Sequence, residues 1–530
     1  MHIIVTNFFL DIFYKFKIKK HFKEIFAKDY LKFNLKNNKI LLEINSMHSS
    51  SIAYAYICNY FSRLYNANIY AYKIASNFQT LDQLIFYLRR IFCIGFFSIY
   101  KSFGTNFFFF INLNYLQKIE ALNLTKNINK KIKNKYDFEN IKIDGVLVGD
   151  LIYDSFLKDH KKPTIDIGSK ELENYLLRSI EIYVFWRDYL RDNQIKVLIV
   201  SHTVYLNAIP VRIAIKNNIE TFQVTTHSIY RLSKTELSAY KDFNKYRKIF
   251  QQFKSSEKKK FIKKAEKRLN LRFYGHVGVD MPYSTKSAFE KKYQFRVIKK
   301  SNRIKILVAS HCFFDSPHSY GNNLFPDFYE WLNFLGNISL QTNYDWYIKT
   351  HPDYNPLTLK VIKKFIKKFN KFNILPSNIS HHQIIKEGID FALTIYGTIA
   401  VEYAALGVCV INGSNNNPHN TYKFNKNPRN IKDYKKLLMN LCEVKFKINM
   451  NEPYQYYYMH NLHFKKSWLF YNYKKFEEEM GSYMSQFTYR VYKYYLDNFR
   501  FKEHRRIGLE LKKFIDSKEY SSLIHYNKYN

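Results

Sequence analysis

Between residues 345 and 412, short apolar strands alternate with helix-like runs, and two of the strands run directly into polar clusters. DWYIK leads into Lys349-Thr350-His351-Pro352, and residues 391–395 lead into Tyr396-Gly397-Thr398 and a new helix. Apolar strands separated by helices build parallel βαβ units, whose sheets are covered on both faces. In an open parallel sheet the ligand crevice lies at the carboxyl ends of the strands, where both clusters fall. They bring a cation, an imidazole, a glycine turn and a hydroxyl at a helix start. That is equipment for holding a phosphorylated ligand.

The alternation begins at Lys39, with KILLEIN and NIYAYKI as strands, followed by 105–112, 197–200 and 220–226. It resumes with RIKILVAS at 303–310. The pattern predicts an α/β chain of two facing Rossmann-like domains, GT-B-like in shape, with a helical C-terminal extension. The expected bounds are a helical lead-in at 1–38, a first Rossmann-like, acceptor domain at 39–285, a linker at 286–302, a second Rossmann-like, donor-nucleotide domain at 303–445 and helices at 446–530.

The 530 residues are 46% hydrophobic and carry a formal net charge of +40. That charge admits an anionic membrane surface or nucleic acid as partner, or an A/T-biased codon usage that inflates Lys, Asn, Ile, Tyr and Phe together. No zinc-finger spacing or RNP-type strand occurs, so no nucleic-acid partner is expected. Five scattered cysteines without a CxxC pair point to a reducing compartment. The N-terminus lacks a signal-peptide pattern, and the apolar stretch 91–113 is interrupted by Lys101, Gly104 and Asn106. The expectation is a cytoplasmic protein, with peripheral contact at the inner face of an anionic membrane. The Lys-rich C-terminal helices with Tyr456, Tyr457, Tyr458, Trp468 and Phe470 offer a membrane-facing reading or a buried one.

Gly397 permits a sharp turn and Thr398 can cap the helix it starts. Glu402, one turn on, could accept ribose hydroxyls. Lys349 and His351 alternate along an extended segment and so share a side, suited to a nucleotide phosphate. Ser310-His311 ends another strand and opens a loop with Asp315, His318 and Gly321, read as a donor-covering loop or a structural Ω-loop. No i, i+4 ligand spacing and no Asp-x-Asp occurs, so neither metal nor cofactor is expected. In the first domain Asp150, then Asp154, are candidates for a general base, with turn-forming as the plain alternative. Ser201-His202 and Tyr205 are candidates for the acceptor side.

HCFFDSPHSYGNNLFPDFYEWL, WYIKTHP and LTIYGTIAVEYAALGVCVING, in this order, resemble the capsule and surface-polysaccharide biosynthesis group of GT-B glycosyltransferases. DGVLVGDLIYDSFL and VLIVSHTVYLNAIPVRIAIKNNI resemble the same group. The likeness spans roughly residues 39–440. It implies a metal-independent transferase moving a sugar from a nucleotide-sugar donor to a growing surface glycan or lipid-linked acceptor. His351-Pro352 and Gly397-Thr398 would hold the donor, with His351 at the departing nucleotide. The acidic-acidic-glycine motif of sialyltransferases is absent, since Ile143 precedes Asp144-Gly145. A teichoic-acid type CDP-alcohol phosphotransferase and a non-catalytic polyanion-binding protein are the alternatives.

Overall fold

A computed structural model of the chain describes residues 2–27, 37–73, 80–92, 94–281, 284–353 and 355–527. Cys93 and part of the expected lead-in lie outside the described residues. The first sheet is built from β1 (Lys39–Glu43), β2 (Asn68–Lys73) and β3 (Thr105–Phe110). A two-stranded hairpin, β4 (Lys142–Ile143) and β5 (Val146–Leu147), follows. The sheet then continues with β6 (Ile195–Val200), β7 (Glu220–Val224) and β8 (Ile229–Leu232). Its order is β3-β2-β1-β6-β7-β8, parallel throughout except for β8, which runs antiparallel to β7.

The second sheet comprises β9 (Lys305–Ala309), β10 (Asp345–Lys349), β11 (Phe372–Ile374), β12 (Phe391–Thr394) and β13 (Cys409–Asn412). All five are parallel, in the order β11-β10-β9-β12-β13. In both sheets the first strand is central, and the chain winds to one side before crossing to the other. Each therefore has a switch point, between β1 and β6 and between β9 and β12, where the connecting segments part and leave a crevice. The fold is α/β with two Rossmann-like sheets in one chain.

Two segments pack elsewhere than their places in the sequence imply. Helix Ser255–Phe273, expected at the end of the first domain, packs against the second. Phe273 meets Phe289 at 5.1 Å, and its carbonyl lies 3.0 Å from His382 Nε2. The expected linker 286–302 also lines the second domain: the Val297 and Ile298 amides both donate to Glu387 at 2.8 Å. The C-terminal helices cross both domains. Tyr456, Tyr457 and Tyr458 are buried among side chains of helices 255–273 and 399–405, whereas Trp468 and Phe470 join the core of the first sheet. Burial of all five aromatics removes the membrane-facing reading of these residues. Among the described residues, no helix is long and apolar enough to cross a membrane.

The two domains are clasped by a buried ion triad. His318, from the loop after β9, places Nδ1 2.5 Å from Asp154 and Nε2 2.9 Å from Glu139, both in the first domain. Ser316 Oγ donates to the same Asp154, and Tyr153 donates to Asp327 at 2.5 Å. Burial alone would push the His318 pKa down, but the two carboxylates outweigh it and raise it to about 10, so the ring is an imidazolium. The loop read as a donor cover or a structural Ω-loop is tied at His318 to the neighbouring domain.

A histidine raised in the folded state stabilises fully below its unfolded value, near 6.5, and that contribution is lost as pH rises toward about 10. His318→Ala is expected to cost about 3–5 kcal/mol, because it strands two buried carboxylates. Denaturant melts at pH 6 and pH 9 are expected to show this cost shrinking at the higher pH.

Candidate active site

A cavity of about 240 Å³ opens at the carboxyl ends of β9, β10 and β12. Ser310, His311, Lys349, His351, Pro352, Gly397, Thr398 and Glu402 all line it. Residues from three strand ends, far apart in sequence, are thereby brought to one crevice at the switch point of the second sheet. Tyr396 is not in the lining; its hydroxyl donates to the Ser316 carbonyl at 2.9 Å and its ring packs on His311 at 5.0 Å.

Lys349 is the unusual group. It ends β10 with its side chain 2% exposed, and among the described residues its ammonium meets a single acceptor, the Thr350 carbonyl at 3.5 Å. An ammonium carries three donors, and burying an under-partnered charge is costly. Burial lowers its pKa to about 8, opposed by the charge of Glu402, so it remains largely charged at neutral pH. A buried cation facing a cavity without a carboxylate of its own is matched by an anionic ligand.

His351 stands beside it. The Asp353 amide donates to its Nδ1 at 3.0 Å, which leaves the proton of the neutral ring on Nε2. Burial lowers its pKa, Asp353 raises it and Lys349 lowers it, for a net decrease. A neutral imidazole with a free N–H donor results. Asp353 in turn accepts from Thr285 N and Oγ at 2.9 and 2.6 Å, fastening the 284–289 wall to the His-Pro turn. His311 acts on the backbone instead. Its Nε2 accepts the Ile395 amide at 3.3 Å and lies 3.1 Å from Thr394 Oγ1, securing the end of β12. Burial pushes its pKa down to about 4.

At the helix start, Thr398 and Glu402 depart from expectation. Gly397 has no positive φ; a Cβ there would come within 2.9 Å of Thr394 Oγ1, so close approach requires the glycine. Thr398 occupies the N-cap position in right-handed helical geometry and makes no side-chain cap bond. Its exposed side chain stands at the cavity wall. Glu402 is buried and ion-paired with Arg272, rather than open to ribose hydroxyls.

The carboxylates expected as bases are engaged elsewhere. Asp150 forms a bidentate pair with Arg212 at 2.5 and 2.6 Å, and Arg212 also donates to the Leu147 carbonyl at 2.7 Å. This pins the hairpin and helix Gly149–His160 to helix Ile209–Lys216. Asp154 belongs to the clasp with His318. Neither lines the cavity.

A second polar cluster, also outside the cavity lining, lies at the switch point of the first sheet. Glu43, ending β1 and 4% exposed, accepts Ser201 N and Oγ at 2.7 and 2.9 Å and Asn207 Nδ2 at 2.7 Å. With its hydroxyl proton committed to Glu43, Ser201 Oγ accepts the Nδ1–H of His202 at 2.8 Å. This tautomer leaves the Nε2 lone pair of His202 free. The surrounding protein lowers the His202 pKa by desolvation, against the opposing charge of Glu43. Tyr205, three residues on, donates to Asp315 at 2.9 Å, so this loop touches the segment following β9.

Sequence reasoning missed Arg272, the 276–279 and 284–289 walls, His381 and Glu43. His381 is buried at the cavity with Nδ1 2.7 Å from the Tyr403 hydroxyl, and burial drives its pKa well down. Arg272 and the walls come from a helix and loop that the sequence pattern places in other parts of the chain. A charged residue closing a strand, as Glu43 does in KILLE, is the one local signal that points to it.

No protein-family model and no curated protein sequence matches the chain. Among solved structures it is similar to KpsC from Thermosulfurimonas dismutans, a beta Kdo 2,4 transferase, at 10% identity over 50% of this chain and 79% of that one, with a TM-score of 0.31. It is also similar to UDP-GlcNAc 2-epimerase from Neisseria meningitidis, bound to UDP-GlcNAc, at 9% identity over 80% and 97%, with a TM-score of 0.23. The glycotransferase of kitacinnamycin gives 10% identity over 80% and 94%, with a TM-score of 0.20. Scores this low equate neither fold nor activity, so what the cavity can do is read from its own residues.

Lys349→Met is expected to leave the melting midpoint of the free protein unchanged or raised, since it replaces a buried charge with an apolar chain. Nucleoside diphosphates are expected to raise the melting midpoint of the wild type and to leave that of this variant unshifted. Wild-type nucleotide affinity, followed by calorimetry, is expected to fall as pH rises through about 8, where the ammonium is lost.

Proposed function

We propose that the protein is a glycosyltransferase of GT-B-like organisation that takes a nucleotide-sugar donor in the second-domain cavity and an acceptor hydroxyl from the first domain. The observation that carries this reading is the buried Lys349 ammonium, aimed into a cavity that also presents the imidazole of His351. In the proposed reaction the acceptor oxygen bonds to the anomeric carbon of the donor sugar. The bond from that carbon to the phosphate oxygen breaks, and its electron pair leaves with the nucleotide. Lys349 and the Nε2–H of His351 stabilise the charge that builds on the departing phosphate. Thr398 at the cavity wall supplies a further hydroxyl donor.

His202 replaces Asp150 and Asp154 as the proposed general base. Glu43 and Ser201 hold it in the tautomer with Nε2 free, which accepts the acceptor proton as the new bond forms. The acceptor is a glycan or a lipid-linked glycan, a class supported by the sequence resemblance and by a first domain that leaves the His202 edge accessible. At about 240 Å³ the cavity is smaller than most ligand pockets, which span roughly 300–1,000 Å³. That size suits a compact activated group better than an extended polymer.

A thermal-shift screen of CMP, CDP, UDP and GDP and their sugar conjugates tests the donor class, with stabilisation by one nucleotide family expected. Against the stabilising donor, His351→Ala and Thr398→Ala are expected to lower nucleotide release, and rates equal to wild type in both would remove the donor-site assignment. A phosphodiester product would identify phosphotransfer instead. His202→Ala is expected to lower transfer by about 10²–10⁴-fold. It is also expected to erase an acid limb of the pH–rate profile lying below the usual histidine range, as the lowered His202 pKa requires.

A further inference from the structure

Two helices of the first domain turn large apolar side chains outward. On helix His2–Phe22, Phe8, Phe9, Ile12, Phe13 and Phe16 are 48–65% exposed, while Ile18 and Phe22 are fully buried on its other side. On helix Thr80–Ile91 and the turn after it, Leu88, Ile91, Phe92 and Ile94 are 44–72% exposed, while Phe86 faces the core. Both helices are held to the same short helix, Phe96–Ser102, and the residue that follows it. Phe22 packs on Phe103 at 5.8 Å and Phe86 packs on Phe97 at 5.0 Å. Exposed single apolar residues are ordinary; two neighbouring helices that each expose a run of them mark an interaction surface.

The charges beside these faces choose the partner. Lys17, Lys20 and Lys23 are exposed along the first helix and its continuation, and Arg89 and Arg90 are exposed on the second. Asp11, a lone acid within helix His2–Phe22, is ion-paired with Lys15. The Lys17 ammonium sits 4.4 Å over the Phe13 ring, at the boundary between apolar face and basic rim. A second copy of a chain carrying +40 would bring like charge against like charge. Aromatic and aliphatic side chains rimmed by Lys and Arg match the acyl boundary and anionic headgroups of a bilayer.

We infer that helices His2–Phe22 and Thr80–Ile91 form a face that docks the first domain on an anionic lipid bilayer, with the aromatic side chains entering the headgroup boundary. This goes beyond general electrostatic attraction, because it assigns the contact to particular apolar residues. It does not depend on the glycosyl-transfer reading.

The test is flotation of the full-length protein with vesicles of phosphatidylcholine mixed with phosphatidylglycerol and with vesicles of phosphatidylcholine alone. Wild type is expected to float with the mixed vesicles and at least about tenfold less with the neutral ones. The variants Phe9→Ser/Phe13→Ser/Phe16→Ser and Ile91→Ser/Phe92→Ser are each expected to lose about tenfold or more of that binding at an unchanged melting midpoint. Lys17→Glu/Lys20→Glu serves as a second variant that spares the apolar surface and is expected to weaken binding to the mixed vesicles alone. The proposal is overturned if wild type stays unbound, or if both apolar variants float as wild type does. It is equally overturned if the apolar faces prove to hold a dimer in sedimentation that the serine variants dissolve.

Discussion

The end of β10 sets a lysine ammonium into the interior of the second domain, where among the described residues a single carbonyl accepts from it. Taking a cation out of water in this way is unfavourable unless something anionic answers it. The charge of Glu402 acts on the ammonium, but that carboxylate is tied to Arg272. The cavity therefore has a surplus of positive character at one spot, and the rest of the site is arranged around that spot. His351 adds a neutral donor, His311 secures the strand end opposite, and Asp353 anchors the 284–289 wall that closes the crevice. Each of these groups makes sense as a means of keeping an anion's partners in fixed positions before the anion arrives.

The same logic extends across the molecule. Both sheets place their first strand in the centre, so each has a crevice at the point where the winding reverses. In the second sheet that crevice holds the cationic cavity; in the first it holds Glu43, Ser201 and His202. The clasp of His318 with Asp154 and Glu139 is what couples the two. A buried imidazolium between two carboxylates is geometrically demanding, which suits it to fixing the register of one domain on the other. The C-terminal helices reinforce this by packing on both domains. Arg231 N, for example, donates to the Tyr520 carbonyl at 2.8 Å, stitching the chain's end onto β8.

Much of the second domain is legible in the sequence because its strands are short, apolar and followed at once by polar residues. Lys349, His351, Gly397 and Thr398 stand out by that pattern, and they do line one cavity. What local pattern does not reveal is pairing over long distances. Asp150 and Asp154 look like free carboxylates on a helix start, and only the fold brings Arg212 and His318 to them. Arg272 and Glu402 are 130 positions apart, so their ion pair has no sequence signature. The long helix Lys170–Asp192, capped by Ser169, lies between strands and carries no polar cluster of the kind that marks the strand ends. The turn at Asp144-Gly145 is legible from composition, since both residues adopt positive φ as a tight hairpin requires.

The buried ammonium of Lys349 is proposed to answer a phosphate. The most direct measurement is a crystal structure of the protein with the nucleotide diphosphate that stabilises it most. A phosphate oxygen within about 3 Å of Lys349 Nζ, with the nucleoside against the 284–289 wall, is the expected result. A nucleotide bound outside this cavity, or inside it with its phosphates turned away from the ammonium, would contradict the account.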